Sequence, residues 1–327
     1  MKLLVVTSSF LIVLALIAPA HSASAVKLRI GYSAITATMA PLWNAQEKGL
    51  FAKYGFDAEL IYLAGGSRIA LALEADSIQL AQLNLNAAVE ARLASGSVML
   101  VGSVYDTYYF QIFGKPSITN PAQLKGKVIA ASSAGAASEY GIRDGLESVG
   151  LKENDYKIIY VGGTDARVQS LQQGLADAAI ISPPNGLIAQ KLGFREIMNL
   201  IKMKIPFGYG ALAAKESWLR KNRLTGINFF KAYLESLASL RQDVSSAQRI
   251  IGKYSRISDR EILQESYRSS IPYIPPRPYV NKEIVARALK MSRRDAARRA
   301  EPEHFYDNGF VKELDDSGFI SALFGKR

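Results

Sequence analysis

Apolar and polar positions along the chain alternate between two periods. Short runs rich in β-branched and aromatic residues at 27–32, 58–63, 78–83 and 98–104 read as strands, and the stretches between them, 41–54, 68–75 and 87–95, carry helical spacing. In the first helix Leu42, Ala45, Gly49 and Leu50 fall on one face, with Pro41 in the first turn, where a missing N–H is harmless; Trp43 sits on a different face. A second series repeats the theme, with strands at 128–131, 157–161 and 178–181 and helices at about 136–149 and 167–175. Strands alternating with helices predict βαβ units, an α/β fold and mostly parallel sheets.

The repetition is positional. Tyr62-Leu-Ala-Gly-Gly-Ser-Arg68 and Tyr160-Val-Gly-Gly-Thr-Asp-Ala-Arg167 each end a strand and open a helix, and each helix runs through an Asp (Asp76, Asp177) into another apolar strand. Two similar lobes are expected. Residues 107–116 and 204–214 are aromatic and extended, so the chain crosses between lobes twice, as at a hinge. The expected division is 26–108 plus 210–327 for one lobe and 109–209 for the other. Beyond residue 215 the pattern is helical at 228–243, 245–254, 259–269 and 282–300, interrupted by four prolines within 271–278.

Residues 1–25 read differently. Lys2 precedes an apolar run broken only by Thr7, Ser8 and Ser9, and Ala23-Ser24-Ala25 supplies a small-residue cleavage site, the pattern of a cleaved secretory signal peptide. An uncleaved anchor would need about 20 strongly apolar residues. The chain contains no cysteine, which excludes disulfides, thiolate metal sites, a cysteine nucleophile and a lipid-modified N-terminal cysteine. A secreted chain with no lipid anchor is retained by a second membrane, so a Gram-negative-type periplasm is expected.

Composition adds little and chemistry subtracts much. The 327 residues, 49% hydrophobic and 21% charged, are enough for two ordinary cores. The net charge of +11 is compatible with nucleic acid, a membrane surface, an anionic ligand or a merely basic surface. Secretion argues against nucleic acid, and much of the excess, Arg287, Lys290, Arg293, Arg294, Arg298 and Arg299, falls on the last long helix, where it reads as a solvated face. His21 leaves with the signal, and His304 stands in a polar, turn-like context. No cluster has metal-ligand spacing, no phosphate-binding G-x-x-x-x-G-K-[ST] occurs, and Ala134-Gly135-Ala136 lacks the dinucleotide fingerprint. Neither catalytic residues nor a cofactor or metal is expected, and the chain does not read as an enzyme.

The positive signal lies in loops that end the strands: 33–38, Gly65-Gly66-Ser67, 84–86, Ser132-Ser133-Ala134-Gly135 and Gly162-Gly163-Thr164. In open parallel sheets ligands bind beyond the carboxyl ends of strands, where small residues let backbone N–H groups at helix N-termini approach an oxyanion. Ser67 and Thr164 are equally explained as helix caps. Arg68 and Arg167 open helices where a positive side chain opposes the helix dipole, a reason to look for an anionic partner, although a solvent-facing arginine explains either one as well. Tyr105, Tyr108, Tyr109, Phe207 and Tyr209 gather at the two crossings, where they either stack on a planar ligand or pack the hinge.

The ordered segments Leu28-Arg-Ile-Gly-Tyr-Ser33, Lys48-Gly-Leu-Phe-Ala-Lys-Tyr-Gly55, Gly65-Gly-Ser-Arg68, Leu124-Lys-Gly-Lys-Val-Ile129 and Leu175-Ala-Asp-Ala-Ala-Ile-Ile181 resemble the periplasmic substrate-binding proteins of ABC importers. The branch is the nitrate/sulfonate/taurine-type group, which includes binders of thiamine-pyrimidine precursors, and the resemblance spans the whole mature chain. It implies the two-lobe type II fold and, as partners, a small-molecule ligand, the importer's permease and its ATPase, with the binding protein a monomer. By position it places ligand contacts at Ser33, Thr36, Thr38, Gly65, Gly66, Ser67, Arg68, Asn84, Asn86, Ser132, Ser133, Ala134, Gly135, Gly163, Thr164 and Pro183, with Tyr109 and Tyr209 added from the hinge; Arg68 is favoured over Arg167 because it also matches the motif. The third loop departs from the group's glycine-containing pattern: Asn84-Leu85-Asn86 puts amides where bare backbone is usual. The ligand expected is small and anionic or aromatic, a sulfonate, carboxylate or pyrimidine. The alternatives are a pyrimidine-synthase-like enzyme of the same fold, whose chemistry uses a histidine and a cysteine-rich iron site, and a ligand sensor that docks on a receptor.

Overall fold

The computed structural model describes residues 25–325, so the predicted signal peptide, apart from Ala25, lies outside the described residues. Among these, ten strands form two five-stranded sheets. The strands are β1 (Val26–Tyr32), β2 (Phe56–Tyr62), β3 (Leu80–Leu83), β4 (Val98–Thr107), β5 (Gln111–Gly114), β6 (Val128–Ala131), β7 (Lys157–Tyr160), β8 (Ala178–Ile181), β9 (Arg195–Asn199) and β10 (Pro206–Lys215). The first sheet has the order β2-β1-β3-β10-β4 and the second β7-β6-β8-β5-β9. The two orders are the same topology, so the repeat read in the sequence is a repeat of structure. In each sheet the strand that enters from the other lobe, β10 or β5, runs antiparallel to both neighbours, while the pairs around β1 and β6 are parallel. The sheets are thus mixed. A crossing strand arrives without the crossover helix that would return the chain to the parallel direction.

Both faces of the first sheet are covered. Along β10, Leu212 and Ala214 pack with Trp43, Phe229 and Tyr233, whereas Ala211 and Ala213 pack on the other face with Leu83, Leu85 and Val285. The alternation is the two-residue period of a strand. Strands buried on both sides need continuous apolar runs, which is why β3 and β8 are buried at every position. The 20-residue helix Arg223–Gln242 crosses the helix Ala40–Glu47, and a buried polar knot fixes them: Asn44 Nδ2 donates to Ser236 Oγ at 2.9 Å, and Ser236 Oγ donates to the Pro41 carbonyl at 2.6 Å.

Three readings change. The helix expected over 41–54 is two, Ala40–Glu47 and Leu50–Lys53, because Gly49 takes a left-handed conformation with φ 64°. Trp43 is fully buried and stacks on Tyr254 with ring centroids 4.9 Å apart, so the "other" face of that helix is covered by the helix Val244–Ser255. The helix expected over 282–300 ends at Met291, and its arginines are only partly a solvated face. Arg287 pairs with Asp144 at 2.8 Å, Arg293 with Glu153 at 2.7 Å and Arg294 with Glu90 at 2.9 Å; among the described residues Arg298 meets only its neighbour Asp295 at 3.6 Å, and Lys290 and Arg299 are exposed. Tertiary folding brings the carboxylates from residues far away in the chain.

The first two of these pairs join the lobes, as does Lys191 with Asp259 at 2.6 Å. The Arg293 and Lys191 pairs are exposed and the Arg287 pair is half-buried; surface pairs contribute ~0.2–1 kcal/mol each. Replacing both Arg287 and Arg293 by alanine is expected to disfavour closure by ~0.5–2 kcal/mol, seen as a larger radius of gyration in small-angle scattering at low salt. An unchanged scattering curve would show that these pairs do not hold the lobes together.

Candidate functional site

The carboxyl ends of β1, β2 and β3 face those of β6, β7 and β8 across a narrow cleft with a cavity volume of about 40 Å³. Matching turns build the two walls. Gly65 and Gly162 both have positive φ, 91° and 99°, which a side chain would oppose. The Gly65 N–H donates to the Ser33 carbonyl at 2.9 Å, and the Gly162 N–H donates to the Ser132 carbonyl at 3.1 Å, so each turn is tied to the end of the neighbouring strand. These bonds turn the chain directly into a helix whose first residues border the cleft.

Four helices start there, two from each lobe: Gly66–Glu74, Leu85–Ser95, Ala137–Glu147 and Thr164–Gln172. Their N-cap residues, Gly65, Asn84, Ala136 and Gly163, all line the cleft, and none makes a side-chain cap hydrogen bond. Each helix start therefore directs uncapped N–H groups and the positive end of its dipole toward the same space.

Arg167 adds a full charge. It is 4% exposed, its Nη2 donates to Thr164 Oγ1 at 2.6 Å, its Nη1 donates to the Ile180 carbonyl, and its guanidinium lies 5.8 Å from the Phe110 ring centroid. Among the described residues no carboxylate lies within ion-pair distance of it. Burial lowers its pKa to about 10, because desolvation disfavours the charged form. Tyr62 and Tyr209, which flank the same space, are pushed upward, by burial first, and so keep their hydroxyl protons. The cleft offers donors and positive potential, offset in part by Asp165 and Glu139 in the first turns of two of the four helices, neither of them within ion-pair distance of Arg167.

Of the residues expected from sequence, Ser33, Gly65, Gly66, Asn84, Ser132, Gly163, Thr164 and Tyr209 line this cleft. Thr36 and Thr38 lie behind it, buried and bonded to each other through their hydroxyls at 2.8 Å. Ser67 reaches across the lobes instead, its hydroxyl donating to the Ala134 carbonyl at 2.9 Å beside Ser133. Ala134 and Gly135 border a neighbouring groove, and Asn86 directs Nδ2 at Met291 Sδ, 3.7 Å away. Pro183 is outside the lining, next to Ser182, which is in it. Tyr109 belongs to the hinge, bonded to Ser269 Oγ at 2.7 Å, and Tyr108 stacks on Phe207 at 4.1 Å across the two crossings. Only Tyr209 of the hinge aromatics named from sequence faces the cleft, where Phe110 and Tyr62 join it.

Arg68 and Arg167, read alike in the sequence, are placed differently. Arg68 is the third residue of its helix and is exposed, whereas Arg167 is the fourth residue of its own and points inward. The fourth position of the first helix is Ile69, fully buried. One residue is about 100° of helical rotation, and that angle separates solvent from cleft.

This hinged, two-lobed α/β architecture is that of the periplasmic binding proteins. It matches a protein of Bordetella bronchiseptica with a TM-score of 0.78 and 19% identity over 90% of this chain and 98% of that one. It also matches the aliphatic sulphonate binding protein of Escherichia coli (0.66, 19%, 92% and 96%) and the nitrate-binding protein of Synechocystis (0.66, 14%, 90% and 89%). No curated protein matches the sequence. The NMT1/THI5-like family model matches residues 36–245, and the chain belongs to that family.

Replacing Arg167 by methionine is expected to weaken the binding of an anion by ~10- to 150-fold, the ~1.5–3 kcal/mol of hydrogen bonds from a charged group, whereas Arg68→Met is expected to change it less than ~2-fold. Because folding lowers the Arg167 pKa, the folded chain loses this proton before the unfolded one does. The cost of burying the charge is therefore present below about pH 10 and is relieved as the pH rises through that value. Ligand-free Arg167→Met is expected to melt no lower than the parent at pH 7, and parental anion binding to weaken above about pH 10. Equal affinities for the parent and Arg167→Met would remove Arg167 from the site.

Proposed function

We propose that this chain is the solute-binding component of an ABC importer, which closes its two lobes on a small organic anion and presents the closed form to a permease with its ATPase. One observation carries the reading: four uncapped helix starts and a buried arginine without a carboxylate converge on one interlobe cleft. Closure would then be a population shift driven by a ligand that touches both walls. The names of two structural neighbours, a sulphonate binder and a nitrate binder, agree with an anionic ligand. Location in the periplasm rests on the signal peptide read at 1–25. Among the described residues no helix is long and apolar enough to cross a membrane.

The rival is catalysis of the pyrimidine-synthase kind within the same family. His304 is the single histidine of the described residues, is 71% exposed in its side chain and lies 3.7 Å from Glu301, outside the cleft lining. Among the described residues no group of three His, Asp or Glu side chains is placed to hold a metal. Binding without transformation is the reading these positions favour.

Titration calorimetry against alkanesulfonates, nitrate, carboxylates, aromatic acids and pyrimidines tests the proposal. At least one anion is expected to bind with micromolar affinity and to be recovered unchanged. Affinities all weaker than millimolar, or turnover of a bound compound, would sink it.

A further inference from the structure

Asn84 does not do the work its position suggests. It closes β3 and is the N-cap of the helix Leu85–Ser95, a place where asparagine is favoured because its side chain accepts a hydrogen bond from the first-turn N–H groups. Here the side chain caps nothing. Both Oδ1 and Nδ2 are buried and without a hydrogen-bond partner, the residue is 2% exposed, and it lines the cleft. Each such orphaned group in a folded protein is disfavoured by ~1–3 kcal/mol, so it persists only where another requirement keeps it. The amide is also held in place. A Cβ on Gly66 would collide with Asn84 Oδ1 and lie 3.1 Å from Ala87 Cβ, so the absence of a side chain at Gly66 makes the room this amide occupies.

The rest of the cleft asks for acceptors. Arg167 and the helix starts can only donate, and a bare oxyanion satisfies them. Asn84 differs, because one of its two polar atoms accepts and the other donates, whichever way the amide is turned. Nitrate or a simple alkanesulfonate, with oxygen acceptors alone, would leave the Asn84 carbonyl oxygen buried and unpaired.

From this we infer that Asn84 is a specificity-determining residue that reads a carboxamide-type edge, an N–H donor beside a C=O acceptor, on an organic anion whose charged group lies toward Arg167. The inference rests on the solute-binding reading and narrows it. The ligand class is an amide-bearing carboxylate or sulfonate, held at its anionic group by one lobe and at its amide by the other.

The test compares malonamate, succinamate and glutaramate with acetoacetate, levulinate and 5-oxohexanoate, the isosteres in which methyl replaces the amide nitrogen. Calorimetry on the parent protein is expected to give at least a 10-fold preference for one amide over its isostere. Asn84→Thr, which keeps a favoured N-cap residue, and Asn84→Leu are each expected to reduce that preference below 3-fold, the amide losing more affinity than the isostere, which keeps only the C=O that Asn84 can donate to. Ligand-free melting of either variant reports folding independently, and no loss of melting temperature is expected, since an unpaired amide is removed. Equal binding of amides and isosteres by the parent, or a preference that survives both substitutions, overturns the inference and leaves solute binding standing. Failure of all six compounds and of every plain anion overturns both.

Discussion

Positive potential gathered at one cleft by four helix starts and a buried arginine, offset only in part by Asp165 and Glu139 in two of the first turns, is the constraint around which the molecule is arranged. Four helix dipoles converge on one space because all four helices begin at the carboxyl ends of strands, in two facing sheets of matching strand order. Arg167 adds a charge whose burial is disfavoured enough to lower its pKa to about 10. Partial charges in a low-dielectric space repel one another as strongly as they attract an anion. Bringing the walls together is unfavourable unless something negative lies between them or something elsewhere offsets the repulsion.

The rim supplies an offset. Arg287 and Arg293 from the first lobe meet Asp144 and Glu153 of the second, and Asp144 also accepts a hydrogen bond from Tyr108 at the hinge at 2.7 Å. Arg293 and Arg143 together hold the Glu153 carboxyl below its usual range, as expected of a carboxylate held between two cations. The crossings themselves are packed by aromatic rings, Tyr108 on Phe207 and Tyr105, Tyr109 and Tyr209 in mutual contact.

Much of this architecture was legible beforehand, since it depends on period and order. Alternating strands and helices, the duplicated Gly-Gly turns and the two extended crossings follow from local pattern, and the matching strand orders repeat it in space. The antiparallel direction of β5 and β10 was not legible, because strand direction depends on where a segment arrives from. That the face of the first helix carrying Trp43 is also covered was not legible for a related reason: its partner Tyr254 is contributed by a helix some 200 residues later in the chain.

For the site, sequence determined the loops, and the tertiary structure decided which side chains in them face inward. Eight of the expected residues line the cleft because a glycine turn at a strand end has few alternatives in an α/β lobe. Arg68 against Arg167 could not be settled that way, since the two differ by one helical position and about 100° of phase. Asn84 was visible as an amide in place of glycine, but only the packing of Gly66 against it shows the amide turned away from its capping role. Local pattern specifies where a chain turns; whether a side chain is buried, paired or left waiting depends on what the rest of the chain brings to its other side.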